Sequence, residues 1–219
     1  IVFDVNETLL DLSVMLPAFT DTFGDKSALK HWFMHLLQYS LVDTLTDNYH
    51  HFDVIGKAVL DMTAQAYQTR LTEAQKDDLI GLLQRLPPHP EVPEALRALR
   101  DAGFALFTLT NSPQKLLENQ IQHATLQDYF TELLSIEGTA RFKPHPDTYQ
   151  RAQEHLSKSA SDIRFVAAHA WDIAGAASVG WKTAFIARNG IPQYSLSQSA
   201  DIQGASLKEV AQQIMAQDH

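Results

Sequence analysis

Four polar segments at predicted strand ends carry the side chains in this sequence that could do chemistry. Asp4 follows the apolar run 1–3, where a carboxylate is costly unless another group pairs with it. The pair Thr110-Asn111, Lys143 and the segment His169–Asp172 lie near later predicted strand ends. Each alone is more simply a turn, a solvated lysine or a helix start. Ligands of an open α/β sheet bind outside the carboxyl ends of its strands, so the four together indicate one site.

A carboxylate, a lysine and a second carboxylate at one sheet edge suit nucleophilic catalysis. Asp4 can form a covalent ester, which divides one difficult substitution into two easier steps. Lys143 can keep Asp4 ionised and neutralise an anionic substrate. Asp172 is expected to hold Lys143 in place and to orient the water that hydrolyses the ester. The Thr8 hydroxyl can bond the second oxygen of Asp4, which completes the predicted catalytic set.

Composition limits the partners of the protein. The 219 residues fit one large domain or a core with a smaller insertion. A formal net charge of −9 argues against nucleic acid and anionic membranes as partners, so an anionic substrate needs a local positive group. The absence of cysteine excludes disulfides and thiolate chemistry. Without a long apolar run, a soluble cytoplasmic protein is expected.

The order of predicted elements favours an α/β fold with a doubly wound parallel sheet. After the first strand, helical patterns cover 14–23, 27–41, 54–67 and 73–85, and a proline-rich stretch follows. Strands and helices then alternate to the end of the chain, which is typical of a parallel sheet. We therefore predict a catalytic core from 1–12 and 90–219, with an all-helical cap inserted at 13–89.

The segment Phe3-Asp4-Val5-Asn6-Glu7-Thr8-Leu9 resembles the first motif of the haloacid dehalogenase superfamily, in which threonine stands four positions after an aspartate. The other three segments match its later motifs in order, and the resemblance covers essentially the whole chain. It is most similar to the type II 2-haloacid dehalogenases. The resemblance implies a Rossmann-like core with a helical cap. It also implies hydrolysis of short 2-haloalkanoic acids to 2-hydroxy acids through an aspartyl ester, without a cofactor.

Two departures from the phosphatases of the superfamily favour this branch. A phosphatase needs an acid two residues after the nucleophile to protonate the departing alkoxide, and that position is Asn6 here. Phosphatases also hold Mg²⁺ with an acidic pair in the last motif, whereas residues 167–172 contain one carboxylate. Halide needs neither, so no metal site is predicted. A phosphatase that tolerates Asn6 and a catalytically silent binding protein remain alternatives.

The resemblance also implies a set of substrate-binding residues and a small-molecule haloacid as the substrate; a homodimer is a further expectation. Phe33 stands where many members have an arginine beside the halide, and His169 replaces an asparagine. His169 either donates a hydrogen bond to a departing halide, fluoride from fluoroacetate included, or merely fills the place of that asparagine. The predicted substrate-binding residues are Asn6, Thr110, Asn111, Tyr149, His169, Trp171, Phe33, Met34 and Phe52.

Overall fold

The computed structural model describes residues 1–218, except the side chain of Asn189. Within this part of the chain, six parallel strands form one sheet in the order β3-β2-β1-β4-β5-β6. The strands are β1 (Val2–Phe3), β2 (Phe107–Thr110), β3 (Glu132–Ser135), β4 (Arg164–Ala167), β5 (Lys182–Ile186) and β6 (Ile202–Gly204). The predicted α/β fold with a parallel sheet is confirmed.

The α-helices fall into two groups along the chain. Five lie between β1 and β2, and four alternate with the later strands or follow them, counted over residues 1–218. They are α1 (Leu16–Phe23), α2 (Ala28–Leu45), α3 (Phe52–Ala66), α4 (Glu73–Gly81), α5 (Val92–Asp101), α6 (Gln114–His123), α7 (Pro146–Leu156), α8 (Ala170–Ser178) and α9 (Leu207–Gln217). The limits of a separate cap at residues 13 and 89 stay a prediction.

Strand β1 lies at the centre of the sheet, between β2 and β4. Val2 and Phe3 are fully buried, as both faces of a parallel sheet are covered by other elements. After β3 the chain crosses to β4 on the other side of β1, so the strand order reverses between β1 and β4. This reversal opens a crevice at the carboxyl ends of β1 and β4, which is where a site is expected in such folds.

Helices α1 to α4 pack together around Trp32, and their buried side chains are continuous with the core of the sheet. The Trp32 indole is buried and donates a hydrogen bond to the Gly56 carbonyl at 2.9 Å. A Cβ at Gly56 would lie 3.2 Å from Ile80 and 3.4 Å from the Trp32 ring, so glycine allows α2 and α3 to approach closely. Thr72 caps α4, and its hydroxyl accepts from the Gln75 N–H at 3.2 Å.

The two segments that join these helices to the sheet, residues 9–11 and 87–89, pair with each other; we call them the linker pair. The Asp11 N–H donates to the Pro87 carbonyl at 2.8 Å, and the His89 N–H donates to the Leu9 carbonyl at 2.9 Å. A second connection lies at the end of α2, where Thr44 Oγ1 accepts from the Phe142 N–H at 2.9 Å.

One predicted strand begins later than expected, and one predicted helix changes its geometry before its expected end. The predicted strand 104–109 begins at Phe107, because the Phe104 N–H closes the end of α5 by donating to the Leu99 carbonyl at 3.1 Å. The predicted helix 73–85 becomes 3₁₀ over Leu82–Arg85.

No helix in the described part of the chain has the length and apolar character required to cross a membrane.

Candidate active site

Asp4 directly follows β1 at the crevice and is 5% exposed. Its backbone N–H donates to the Val166 carbonyl at 3.0 Å, so the end of β4 fixes its position. Its Oδ1 accepts from Lys143 Nζ at 2.9 Å, and its Oδ2 accepts from the Thr8 hydroxyl at 2.6 Å. The Thr8 oxygen in turn accepts from the Ala168 N–H at 2.9 Å, which orients the Thr8 proton toward Asp4.

Lys143 is fully buried, and each of its three ammonium protons has an acceptor. Besides Asp4, Nζ donates to the Leu109 carbonyl at 2.7 Å and to Asp172 Oδ2 at 2.6 Å. The other oxygen of Asp172 accepts from the Tyr149 hydroxyl at 2.5 Å. The carboxylate of Asp172 is therefore shared between Lys143 and Tyr149, and its side chain is 0% exposed.

Charges within the cluster keep the nucleophile ionised. Burial opposes the charge of Asp4, but Lys143 and a hydrogen bond from His169 hold the pKa of Asp4 well below its usual range. Burial likewise opposes the charge of Lys143, but the charges of Asp172 and Asp4 raise its pKa. Burial and the charge of Asp4 raise the pKa of Asp172, although Lys143 opposes the shift. Asp4 and Lys143 therefore face the crevice as a carboxylate and an ammonium group.

His169 contacts Asp4 from the side opposite to Lys143. Its Nδ1 lies 3.2 Å from Asp4 Oδ2, and its Nε2 lies 2.8 Å from Glu7 Oε2. Carboxylates only accept hydrogen bonds, so both ring nitrogens donate and the ring is an imidazolium. Burial lowers the pKa of His169, but its hydrogen bonds to Asp4 and Glu7 overcome this effect and raise the pKa to about 10.

Two aromatic rings fix the plane of the His169 ring. The Trp171 ring stacks on it, with centroids 5.1 Å apart and planes 24° apart. Phe33, which reaches across from α2, lies 6.2 Å from it. Two aromatic neighbours and a side chain that is 13% exposed leave little room for His169 to turn away from Asp4. Phe33 and Trp171, both predicted substrate-binding residues, are therefore brought to the site through His169.

Glu7 reaches His169 because of its backbone conformation. Its φ is 61°, in the left-handed region that side-chain-bearing residues seldom adopt. The tight turn is held by hydrogen bonds from the Glu7 N–H to the Leu10 carbonyl at 2.8 Å and between His89 Nε2 and the Glu7 carbonyl at 3.2 Å. The Glu7 carboxylate is 41% exposed, so it connects His169 with solvent.

Asn111 supplies a donor for a substrate group. Its Oδ1 accepts from the Lys143 N–H at 3.0 Å, which orients the amide and leaves Nδ2 as the donor that this bond does not use. Thr110 is buried, and its hydroxyl oxygen accepts from the Ser112 N–H at 3.3 Å. Thr110 therefore shapes the turn in which Asn111 lies.

Asn6 is already occupied by protein partners. Its Nδ2 donates to Ser112 Oγ at 3.2 Å, and its Oδ1 accepts from Gln120 Nε2 at 2.9 Å. The same Gln120 nitrogen donates to the Leu83 carbonyl at 2.9 Å. The geometry therefore gives Asn6 a part in joining the turn after β1 to α6 and to the end of the inserted helices.

Of three other residues expected to bind substrate, two are buried inside the protein and one is exposed on α2. Tyr149 is 0% exposed and donates to Asp172 behind Lys143. Phe52 is buried, and its ring lies 6.1 Å from that of Phe142. Met34 is 57% exposed, and it projects about 100° around α2 from Phe33, which is the residue that faces the site.

Glu7 is a residue of this cluster that the sequence alone did not single out. An acid in the turn after the first strand and a histidine in the last motif occupy neighbouring strand ends, and this combination was the available signal. Among the described residues, no three histidine, aspartate or glutamate side chains are grouped so that they could hold a metal ion.

A profile of the haloacid dehalogenase-like hydrolase family matches residues 1–180, which include all of this cluster. The chain belongs to that family. It is 30% identical over 216 residues to the (S)-2-haloacid dehalogenase of Pseudomonas sp. (strain YL), which covers 97% of this chain and 92% of that protein. It is 29% identical to haloacetate dehalogenase H-2 of Moraxella sp. (strain B), over 92% of this chain and 91% of that protein.

The fold of the family is also seen in solved structures. The L-2-haloacid dehalogenase from Xanthobacter autotrophicus superposes with a TM-score of 0.92 at 23% identity, over 99% of this chain and 98% of that chain. The predicted likeness to 2-haloacid dehalogenases is therefore confirmed. The relatives confirm the family, and this superposition confirms the fold.

Proposed function

We propose that this member of the haloacid dehalogenase-like hydrolase family hydrolyses short 2-haloalkanoic acids to 2-hydroxy acids. The observation that carries the proposal is the ionised Asp4 beside Lys143, with an amide at Asn6 in place of an acid. A nucleophilic carboxylate without a proton donor for the leaving group suits halide, which leaves as a stable ion. The two relatives named above, dehalogenases of (S)-2-haloacids and of haloacetate, support this substrate class.

In the first step, Asp4 attacks the carbon that bears the halogen. Oδ2 already accepts two hydrogen bonds, from Thr8 and His169, whereas Oδ1 accepts one, from Lys143. Oδ1 therefore has the freer lone pair and forms the new carbon–oxygen bond as the carbon–halogen bond breaks. Attack from behind inverts the carbon, and Oδ2 becomes the carbonyl oxygen of the ester.

The substrate carboxylate is held by positive and polar groups around Asn111. The free Nδ2 of Asn111 donates to it, and Lys143 neutralises its charge beside Asp4. A site with this charge favours a short acid that places its α-carbon against Asp4 Oδ1. Phe33 and Trp171 give the remaining wall an apolar character that suits a halogen.

The activity is tested by halide release from chloroacetate and from each enantiomer of 2-chloropropionate. Phosphate release from p-nitrophenyl phosphate, measured in parallel, tests the phosphatase alternative, and inertness on both substrate classes would favour the silent binding protein. We expect halide release with a 2-hydroxy acid as the product. Phosphate release without halide release would overturn the proposal.

The ester step is tested by a single turnover in heavy-oxygen water. We expect the label in Asp4 and an unlabelled product, because water attacks the carboxyl carbon of the ester. The variant Asp4→Asn should lose turnover, apart from slow deamidation back to aspartate. Label in the product of the first turnover would demonstrate direct attack by water and exclude the ester.

Fluoroacetate is the most demanding substrate of the proposed class. Both N–H groups of His169 are engaged, with Asp4 and Glu7, so His169 does not hold a free donor toward a departing fluoride. We therefore expect fluoride release from fluoroacetate to be much slower than chloride release from chloroacetate. A cytoplasmic location and a homodimer stay predictions.

A further inference from the structure

The second half of the proposed reaction needs a base, and the buried side of Asp4 does not provide one. All three ammonium protons of Lys143 are donated to acceptors, and Asp172 keeps it protonated. Asp172 shares its two oxygens between Lys143 and Tyr149, and its side chain is 0% exposed. The water-orienting part that the sequence suggested for Asp172 therefore lacks a free, reachable oxygen.

His169 lies on the side of Asp4 that water can reach. Its Nδ1 is 3.2 Å from Asp4 Oδ2, and its Nε2 is 2.8 Å from Glu7. The Glu7 carboxylate is 41% exposed, so the pair forms a connection from the nucleophile to solvent. A carboxylate that orients an imidazole next to a reacting group is the arrangement of a catalytic base.

We propose that His169, oriented by Glu7, is the general base that activates the water which hydrolyses the Asp4 ester. This inference rests on the proposed function, because it concerns the second step of the same reaction.

Formation of the ester is what turns His169 into a base. In the free enzyme the carboxylates of Asp4 and Glu7 both raise its pKa. The ester removes the charge of Asp4, and Glu7 remains as the one carboxylate that contacts the ring. Nε2 keeps its proton against Glu7, so the proton that leaves is the one on Nδ1, the nitrogen beside the ester. The neighbouring rings of Phe33 and Trp171 carry no charge, and Lys143 contacts the other oxygen of Asp4.

The proton balance of the cycle closes with these groups. Halide leaves with the electron pair of its bond to carbon, and Nδ1 then releases its proton to solvent. Water gives a proton to Nδ1 and its oxygen to the ester carbonyl carbon. The bond from that carbon to the substrate oxygen breaks, and the proton of the new carboxylic acid passes to the departing alkoxide. The sum is one 2-hydroxy acid, one halide and one proton, with Asp4 again ionised.

The first test separates the two half-reactions in the variant His169→Gln. With chloroacetate we expect one equivalent of chloride per enzyme, and a carboxymethyl adduct on Asp4 in the intact-protein mass. Decay of that adduct should be about 10²–10⁴-fold slower than in the unmodified enzyme, as followed by rapid quench. Loss of the chloride burst, or adduct decay at the unmodified rate, would overturn the proposal.

His155→Gln is the matched control. His155 is another histidine paired with a glutamate, with Nε2 2.8 Å from Glu132 Oε1, but its side chain is 54% exposed. Glu132 is the first residue of β3, so this pair lies toward the edge of the sheet opposite the site. His155→Gln should leave the chloride burst and the adduct decay unchanged.

The second test uses pH to distinguish a base from a cationic hydrogen-bond donor. A base must be neutral to act, so adduct decay should accelerate as the pH rises through the pKa of His169 in the ester and then level off. A cationic donor would give the opposite slope and overturn the proposal. In Glu7→Gln, which retains the imidazole, we expect a normal chloride burst, slower decay and a pH midpoint shifted downward.

Glu7→Gln also carries the test if His169→Gln does not fold, and Glu132→Gln is its control. A Glu7→Gln enzyme whose adduct decays at the unmodified rate and with the same pH midpoint would remove Glu7 from the proposal. The outcome stays distinct from failure of the proposed function. An unmodified enzyme that releases no halide from any haloacid refutes that function, whereas an active enzyme with a pH-independent second step refutes the base alone.

Discussion

The two oxygens of Asp4 face different surroundings. Oδ1 faces Lys143, whose further partner Asp172 has a side chain that is 0% exposed. Oδ2 faces Thr8 and His169, and the latter connects to Glu7, whose side chain is 41% exposed. The Oδ1 side, which we call the closed side, is a fixed pair of charges backed by Asp172, which water does not reach. The Oδ2 side, which we call the open side, can exchange a proton with solvent through His169 and Glu7. One carboxylate can therefore serve both a charge-stabilised attack and an acid–base hydrolysis.

The closed side should dominate both stability and the first chemical step. Replacing Lys143 with Met leaves Asp172 as a buried carboxylate without a cationic partner among the described residues, and it leaves Asp4 with His169 alone, so we expect a loss of about 3–5 kcal/mol in the free energy of unfolding. Chloride release from chloroacetate should fall by about 10²–10³-fold. Denaturant unfolding and halide assays measure both, with Lys115→Met as the control at a side chain that is 81% exposed. Retained activity would contradict the role of Lys143.

Removal of the Tyr149 hydroxyl should have a smaller effect on the same side. Tyr149→Phe leaves Asp172 without one buried donor, which costs about 1.5–3 kcal/mol for a bond to a charged group. Thermal unfolding and chloride release should both decline, but less than in Lys143→Met. Tyr194→Phe, at a residue that is 53% exposed, is the control. An unchanged chloride release would mean that Asp172 holds Lys143 without help from Tyr149.

The open side should give a dependence of stability on pH. The pKa of His169 is raised from 6.5 to about 10 in the folded protein. Its contribution to stability is therefore fully present below about pH 6.5 and is lost as the pH rises toward 10. Asp4 behaves in the opposite sense, because its lowered pKa makes its contribution disappear only in acid. The difference in unfolding temperature between the unmodified protein and Glu7→Gln should shrink from pH 6.5 to 10. A constant difference would show that the Glu7–His169 pair does not contribute to the dependence of stability on pH.

Chelation should have the smallest effect. Halide departure needs no metal, and residues 167–172 contain one carboxylate where a phosphatase has the pair that holds Mg²⁺, so prolonged treatment with a chelator should leave chloride release unchanged. Added Mg²⁺ should not raise it. A strict requirement for Mg²⁺ would favour the phosphatase alternative and remove the contrast between the two sides of Asp4.

The closed side could be anticipated from the sequence because strand ends determine it. Asp4 and Asp172 follow neighbouring parallel strands, β1 and β4, and parallel strands bring their carboxyl ends to one edge. Thr8 lies one short turn after Asp4, so its contact follows from local spacing. These relations need only the order of the elements, which alternating apolar and polar segments already indicate.

The open side depends on details that the pattern does not contain. The contact between Glu7 and His169 needs a φ of 61° at Glu7, which the sequence does not signal for a residue with a side chain. Met34 and Phe33 are adjacent in the sequence, and the rotation of α2, set by packing, decides that Phe33 faces His169. The amide of Asn6 faces the protein interior because it forms hydrogen bonds with Ser112 and Gln120, which are distant in sequence.

The linker pair has a mechanical consequence. The segments 9–11 and 87–89 form an axis that begins one residue after Thr8, so a rotation of α1 to α4 about it would displace the turn at Asp4 very little. The same rotation would carry Phe33 away from His169, and it would break the bonds of Thr44 with Phe142 and Arg141 and the ion pair of Arg141 with Asp47. These contacts would act as a latch, in which each of the two hydrogen bonds contributes about 0.5–1.5 kcal/mol. We therefore expect substrate to enter when the latch is released. Asp4 is then already in its reactive geometry, and the His169 ring becomes exposed to water.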